Sequence, residues 1–390
     1  MSLDIVYIDD EPQPLLAAAR AVRAGTRVAE FAPVDWNVDE VLAIDANLWV
    51  LDFFNAPLDE DQDARDHAGS NGMTAFQKLR FLAGDYRPPT ALISNDLERA
   101  LGTSVVWEQR HIVADRLGVE WIAPKLDRDG NSTIGELLAI ADATAQARGA
   151  IAAIRAVDPV EFPAEFAHRI LGLPRTVTWL RLAARDVAAW RPPSLSADHG
   201  DQRPAAIRRS VPAKPDHAAA RSIVWWLIRQ TLFYPSFIVS RRHVALRIGV
   251  TVACLDAALE EDTNLSRKLR TMRYKGALAG LTEGRWWSAG IDGLAWSLPR
   301  GKAERTTALK ALVAPAPLEE LNLLDPVVVS NADLIETDEI AAAADCLRAS
   351  DEHFPFAAPP AWVKLDEARE DRALARLVRI EDQERLEVDN

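Results

Sequence analysis

Cysteine is scarce in this sequence of 390 residues: Cys254 and Cys346 stand far apart, with no CxxC spacing. That excludes a disulfide framework and a cysteine-built zinc site, and both thiols read as plain buried side chains. The seven histidines (67, 111, 168, 199, 217, 243 and 353) show no paired metal spacing. No nucleophile elbow, P-loop, HExxH or dinucleotide glycine fingerprint occurs, so no separate enzymatic output is expected. No apolar run approaches the length of a spanning helix, and the opening MSLDIVYIDD is acidic where a secretory leader is basic. A cytoplasmic protein without membrane contact is expected.

The chain is too long for one ordinary core, so two or three domains are expected. A composition of 48% apolar and 26% charged residues is that of a globular protein, and the net charge of −13 argues against a nucleic-acid coat. The charge is uneven. Residues 199–300 hold 16 Lys/Arg against 8 Asp/Glu, whereas residues 301–390 hold 10 against 20. A basic middle and an acidic tail predict different surfaces with different partners.

Short apolar runs at 3–8, 26–32, 48–53, 90–94 and 119–123 alternate with helical patterns at 12–23, 72–83, 104–117 and 133–148. That alternation predicts a doubly wound α/β domain with a five-stranded parallel sheet, whose ligands bind beyond the carboxyl ends of the strands. The polar residues fall at those ends. Asp9 and Asp10 follow the first run, Asp52 ends the third, Ser94 the fourth, and Lys125 follows the fifth. Three converging carboxylates repel one another, and a hard divalent cation such as Mg²⁺ relieves that repulsion. A lysine and a hydroxyl opposite the metal are suited to phosphoryl oxygens, and an aspartate can act as the nucleophile. Taken singly, each residue reads as a solvated turn or strand end; five in register do not.

This set resembles the receiver domain of two-component response regulators. Asp9-Asp10-Glu11 is similar to the family's acidic pair, DFFNAP (52–57) to its phosphoacceptor segment, and Gly72 to the glycine that opens its third helix. Ser94 and Lys125 stand where the family has its hydroxyl and its lysine. The resemblance covers about residues 3–145 and implies a flavodoxin-like fold. It also implies a phosphoryl group taken by Asp52 from a partner histidine kinase, Mg²⁺ held by Asp9, Asp10 and Asp52, and phosphoryl oxygens held by Ser94 and Lys125. Four features depart from the family: the acidic insertion LDEDQDARDHAGSN (58–71), the greater length of 97–116, Pro124 before the lysine rather than after it, and Ile122 where an aromatic is common, with Trp121 beside it.

The receiver is taken as residues 1–148, followed by a helical connector at 149–191 and a linker or exposed loop at 192–216. Residues 217–317 read as a mainly α-helical, winged-helix-like output domain, and 318–390 as an acidic C-terminal region. In RRHVALRIGVTVACLDAALE, from Arg241, the spacing of Ala245 and Gly249 resembles a helix-turn-helix, with 217–232 as a supporting helix and 273–298 supplying a further helix and a winged hairpin. Arg241, Arg242, Arg267, Lys268, Arg270, Arg273, Lys275 and Arg285 are candidate contacts for nucleic acid or a partner. The second helix is acidic, which favours a protein partner of the output region over DNA, with a phosphoryl sink without output as a further alternative. Trp286 and Trp287 read as core or interface aromatics. In the tail, 337–349 and 364–388 read as helices, and the proline-aromatic stretch 353–362 as a packed arm or a docking strip for a partner.

Overall fold

The structure, a computed structural model, describes residues 3–9, 13–31, 38–53, 72–95, 97, 107–125, 133–195 and 203–387. Its first part runs β1 (Leu3–Ile8), α1 (Gln13–Val22), β2 (Val28–Phe31), α2 (Val38–Ala43), β3 (Ala46–Asp52) and α3 (Gly72–Ala83). It continues with β4 (Thr90–Ser94), α4 (Arg110–Leu117), β5 (Trp121–Pro124) and α5 (Thr133–Arg155). The strands form one parallel sheet in the order β2-β1-β3-β4-β5, the order of a flavodoxin-like domain. Every residue of β3 is buried, as its unbroken apolar run predicts for a central strand covered on both faces.

Strand alternation sends Val6, Ile8, Trp49, Leu51, Leu92 and Ile122 to one face, where they pack with Phe76 and Leu79 of α3 and with Val41 of α2. The opposite face carries α1 and α5. Glycine ends α4: Gly118 takes φ 75° and its N–H returns to the carbonyls of Ala114 and Asp115. With 23 residues, α5 is long and apolar enough to cross a membrane, which corrects the expectation that no segment reaches that length. More than half of that stretch is buried, as in the cover helix of a sheet.

The chain continues through α6 (Phe162–Arg169), α7 (Leu180–Ala189), α8 (Ala205–Ser210) and α9 (Pro215–Trp226). Contacts divide it into two compact units: Met1–Gly172 with Pro192–Arg229 and Gly276–Leu281, and Leu173–Arg191 with Gln230–Lys275 and Thr282–Asn390. Two expectations need correction here. Residues 203–216 are not a linker, and 217–232 are not a supporting helix of the second unit, because α8 and α9 pack on the first. Lys214 Nζ donates to the carbonyls of Leu42 and Ile44 at 3.1 and 3.0 Å, and His217 shares a 2.8 Å hydrogen bond with Asp45. Burial, then the Arg148 charge, push His217 down to about 4, so it is neutral at pH 7.

At the amino-terminal edge of the sheet, Arg87 and Glu120 form a buried ion pair at 2.8 Å. Glu120 also accepts from the Thr90 N–H at 2.7 Å and from Arg221 of α9 at 3.3 Å. Glu120→Gln leaves the Arg87 guanidinium buried without its charge partner, and urea unfolding is expected to show a loss of about 3–5 kcal/mol. A loss under 1 kcal/mol would refute the pair's structural role.

The second unit contains β6 (Ile238–Val239), α10 (Arg241–Ile248), α11 (Val252–Glu260), α12 (Asn264–Met272), β7 (Trp286–Trp287), α13 (Ser288–Trp296) and α14 (Lys302–Val313). Gly249, at φ 88°, ends α10, and α11 begins three residues later under the Thr251 cap. β7 pairs antiparallel with β6, and Arg273 bridges to Trp286. Trp287 is buried against Trp179, Phe237 and Tyr274, as its reading as a core aromatic predicts.

The tail departs most from expectation. Residues 337–342 and 346–349 are strands, joined by a single 3-10 turn at Ala343–Asp345, rather than one helix, and they lie within a four-stranded sheet of order β10-β11-β8-β9. Its strands are β8 (Pro326–Ser330), β9 (Glu336–Ala342), β10 (Cys346–Ala349) and β11 (Ala361–Lys364). The charged helix expected over 364–388 is three short helices, α15 (Leu365–Glu370), α16 (Arg372–Ala375) and α17 (Gln383–Glu387). Leu347, Val363 and Leu374 form the small core beneath them.

Candidate functional site

The first unit brings Asp9, Asp52, Ser94 and Lys125 to the carboxyl edge of one sheet. Each is placed by backbone pairing. Asp52 lies opposite Ile93, and Ser94 opposite Pro124. The Phe53 N–H donates to the Ile93 carbonyl at 2.8 Å, and the Lys125 N–H to the Ser94 carbonyl at 2.8 Å. Thr133 then donates its hydroxyl to the Pro124 carbonyl at 2.8 Å, tying the start of α5 to the end of β5.

The side chains meet there. Lys125 Nζ lies 2.9 Å from each oxygen of Asp9 and 3.4 Å from Asp52 Oδ2. Asp9, Asp52 and Ser94 are buried. Burial alone would lower the Lys125 pKa, but the Asp9 hydrogen bond and the charges of Asp52 and Asp9 prevail and hold it above the ordinary lysine range. Its ammonium therefore persists across the physiological range.

Two carboxylates facing one ammonium offer hard oxygen donors, the donor chemistry that magnesium accepts. Among the described residues no group of three His, Cys, Asp or Glu side chains forms a metal cage. Asp10, the third expected ligand, lies outside the described residues, as do Glu11, Pro57 and the insertion at 58–71.

Two local features hold the site. Gly72 opens α3 directly against the Asp52 peptide: a Cβ at that position would lie 2.0 Å from the Asp52 carbonyl oxygen. The second is Tyr7, a residue missing from the sequence-derived site. Fully buried in β1, it donates its hydroxyl to Asp9 Oδ2. The signal was legible, since residues two apart on a strand share a face. Trp121 lies elsewhere, donating its indole N–H to Glu136 at 3.0 Å beneath the Arg110 guanidinium.

The eight basic candidates of the second unit do not converge. Arg241 and Arg242 are paired with Asp338 at 3.0 and 2.7 Å, and Arg241 also reaches Asp256 at 3.3 Å. Arg285 is half-buried near Glu336, and burial pushes its pKa down. Arg267, Lys268, Arg270, Arg273 and Lys275 are exposed on and just after α12, with Arg270 paired to Asp262. The basic middle and the acidic tail thus partner each other in part, where separate partners were expected.

No known family profile matches the chain, and no curated protein resembles it significantly. Among solved structures it is similar to full-length FixJ from B. japonicum, at 14% identity and a TM-score of 0.22, covering 56% of this chain and 96% of that one. The assignment of the first unit as a five-stranded parallel α/β domain rests on its own strand order.

Proposed function

We propose that the first unit is the receiver of a response regulator, accepting a phosphoryl group on Asp52 from a partner histidine kinase. The observation that carries this reading is the Lys125 ammonium set between the buried carboxylates of Asp9 and Asp52, at the edge where a doubly wound sheet binds its ligands. An Asp52 oxygen attacks phosphorus in line, the bond from phosphorus to the donor imidazole nitrogen breaks, and the imidazole leaves as the neutral base once protonated. Lys125 then exchanges a carboxylate contact for a phosphoryl oxygen, and the Ser94 hydroxyl donates to another. Asp9, Asp10 and Asp52 would hold Mg²⁺, which supplies charge neutralisation on the transferring group. Positioning and electrostatics are most of what such a transfer requires.

Incubating the protein with acetyl phosphate and Mg²⁺ is expected to label it with an acid-stable, base-labile phosphoryl group. Asp52→Asn is expected to abolish the label. A variant that still takes up label at the parent rate would remove the assignment.

For the output region the sequence leaves a protein partner and DNA open. The exposed cations of α12 favour nucleic acid, whereas the acids of α11 favour a protein.

A further inference from the structure

The basic excess of residues 199–300 is divided in the fold. On α10 the cations are occupied internally, Arg241 and Arg242 by Asp338 and Arg247 by Asp292 at 3.1 Å. The turn between α10 and α11 is covered by the chain itself. The Thr251 N–H donates to the Glu319 carbonyl and the Leu321 N–H to the Gly249 carbonyl, both at 3.0 Å. α11 carries no Lys or Arg.

α12 is arranged differently. Its buried side is Leu265, Ser266 and Leu269, so the helical period turns Asn264, Arg267, Lys268 and Thr271 outward. That face bears two cations, an amide and a hydroxyl, with no carboxylate, and Arg273 and Lys275 follow it. Lys268, Arg273 and Lys275 form no ion pair among the described residues. Arg267 comes only to 4.0 Å from Asp262, with 58% of its side chain exposed. No large apolar side chain is exposed on this helix.

We propose that this face of α12 is an interface for duplex nucleic acid, in which Arg267 and Lys268 contact backbone phosphates and the α10 arginines take no part. The face offers donors in a row along a helix of nine residues, about 13 Å long, which a major groove admits. It lacks the apolar anchor that a membrane surface or a protein hot spot uses. Asn264 is engaged: its Oδ1 accepts from Arg267 Nη2 at 2.9 Å and its Nδ2 donates to the Ala311 carbonyl at 3.2 Å. It therefore orients Arg267 rather than reading a base, so the contact is to phosphate and tolerates any sequence. This inference goes beyond the phosphoacceptor reading and does not depend on it.

The test uses the full-length protein, with and without acetyl phosphate and Mg²⁺, and a labelled mixed-sequence DNA duplex followed by fluorescence anisotropy from about 50 to 200 mM KCl. Salt-sensitive binding is expected. The double variant Arg267→Ala, Lys268→Ala is expected to bind about tenfold more weakly and to flatten the log–log salt slope by about 1.8, near 0.9 per phosphate contact. Arg242→Ala is expected to leave that slope unchanged, and circular dichroism to show all variants folded. Three outcomes would overturn the proposal: no salt-dependent duplex binding in either condition, an equal loss in Arg242→Ala, or phosphatidylserine vesicles bound through Lys268 while the duplex is ignored. Asp52 labelling is read separately, so failure of one reading leaves the other standing.

Discussion

Gly72→Ala is expected to lose at least 99% of its Asp52 labelling rate, roughly a hundredfold fall, and about 3 kcal/mol of stability in urea. The new methyl would sit 2.0 Å from the Asp52 carbonyl oxygen and 2.8 Å from its carbonyl carbon, and both atoms belong to the backbone. A flexible side chain can be pushed aside; this peptide is held, because the Phe53 N–H is bound to Ile93 and the Phe53 carbonyl accepts from the Gly72 N–H at 3.2 Å. Either α3 lifts from the sheet, opening the core around Phe76 and Leu79, or the end of β3 moves and carries Asp52 away from Lys125. A displacement near 1 Å suffices for the kinetic loss. The control is Ala75→Gly, on the same helix but away from the Asp52 peptide, which should lose stability and keep its labelling rate. Equal labelling by Gly72→Ala and the parent protein would refute the close packing as a requirement of the site.

Glu336→Gln is expected to destabilise the second unit by about 3 kcal/mol at pH 7. Three basic residues, Arg241, Arg242 and His243, open α10, where the helix dipole disfavours positive charge. Glu336 offsets that arrangement, accepting the Ser240 hydroxyl at 2.6 Å and lying 3.3 Å from His243 Nδ1. Burial alone would raise its pKa, but the His243 hydrogen bond and the charges of His243 and Arg285 bring it down to about 2 from an ordinary 4.5. A depressed carboxylate stabilises the fold above its unfolded pKa, and that contribution fades as pH falls through the folded value. The stability gap between the parent and Glu336→Gln should therefore be full at pH 7 and should close between about pH 4.5 and 2. Denaturant midpoints taken across that range measure it, and a gap independent of pH would exclude the ionised carboxylate as its source.

The five-stranded parallel sheet was readable because each strand is a short apolar run that ends in a polar residue, and the parallel topology carries all such ends to one edge. Asp9, Asp52, Ser94 and Lys125 needed nothing more. Residues 203–229 were not readable in that way. Arg203, Lys214, His217 and Arg221 look like solvent-facing charges, yet they find carbonyls and carboxylates of the first unit: Arg203 Nη1 donates to the Leu82 carbonyl at 3.1 Å, and Arg221 pairs with Asp85 at 2.6 Å. Composition distinguishes charged from apolar, not satisfied from solvated. In the tail the alanines of 341–344 favour a helix locally, but pairing of β9 with β8 holds Ala341 and Ala342 in a strand, and helix survives only as the single 3-10 turn Ala343–Asp345. Glu336 and Asp338 read in the sequence as part of an acidic tail with partners of its own, because nothing local places them beside Arg242 and His243.

The route of the chain through its two units limits how this protein can be taken apart. The backbone passes from one unit to the other five times, at residues 172, 191, 229, 275 and 281. Neither unit is therefore a continuous stretch of polypeptide that cloning could lift out whole. A fragment ending near residue 148 would strip Trp225 and Arg229 from Asp115, His217 from Asp45 and Arg221 from Glu120. Moving the Asp52 site onto another protein would therefore require grafting several strips of chain at once.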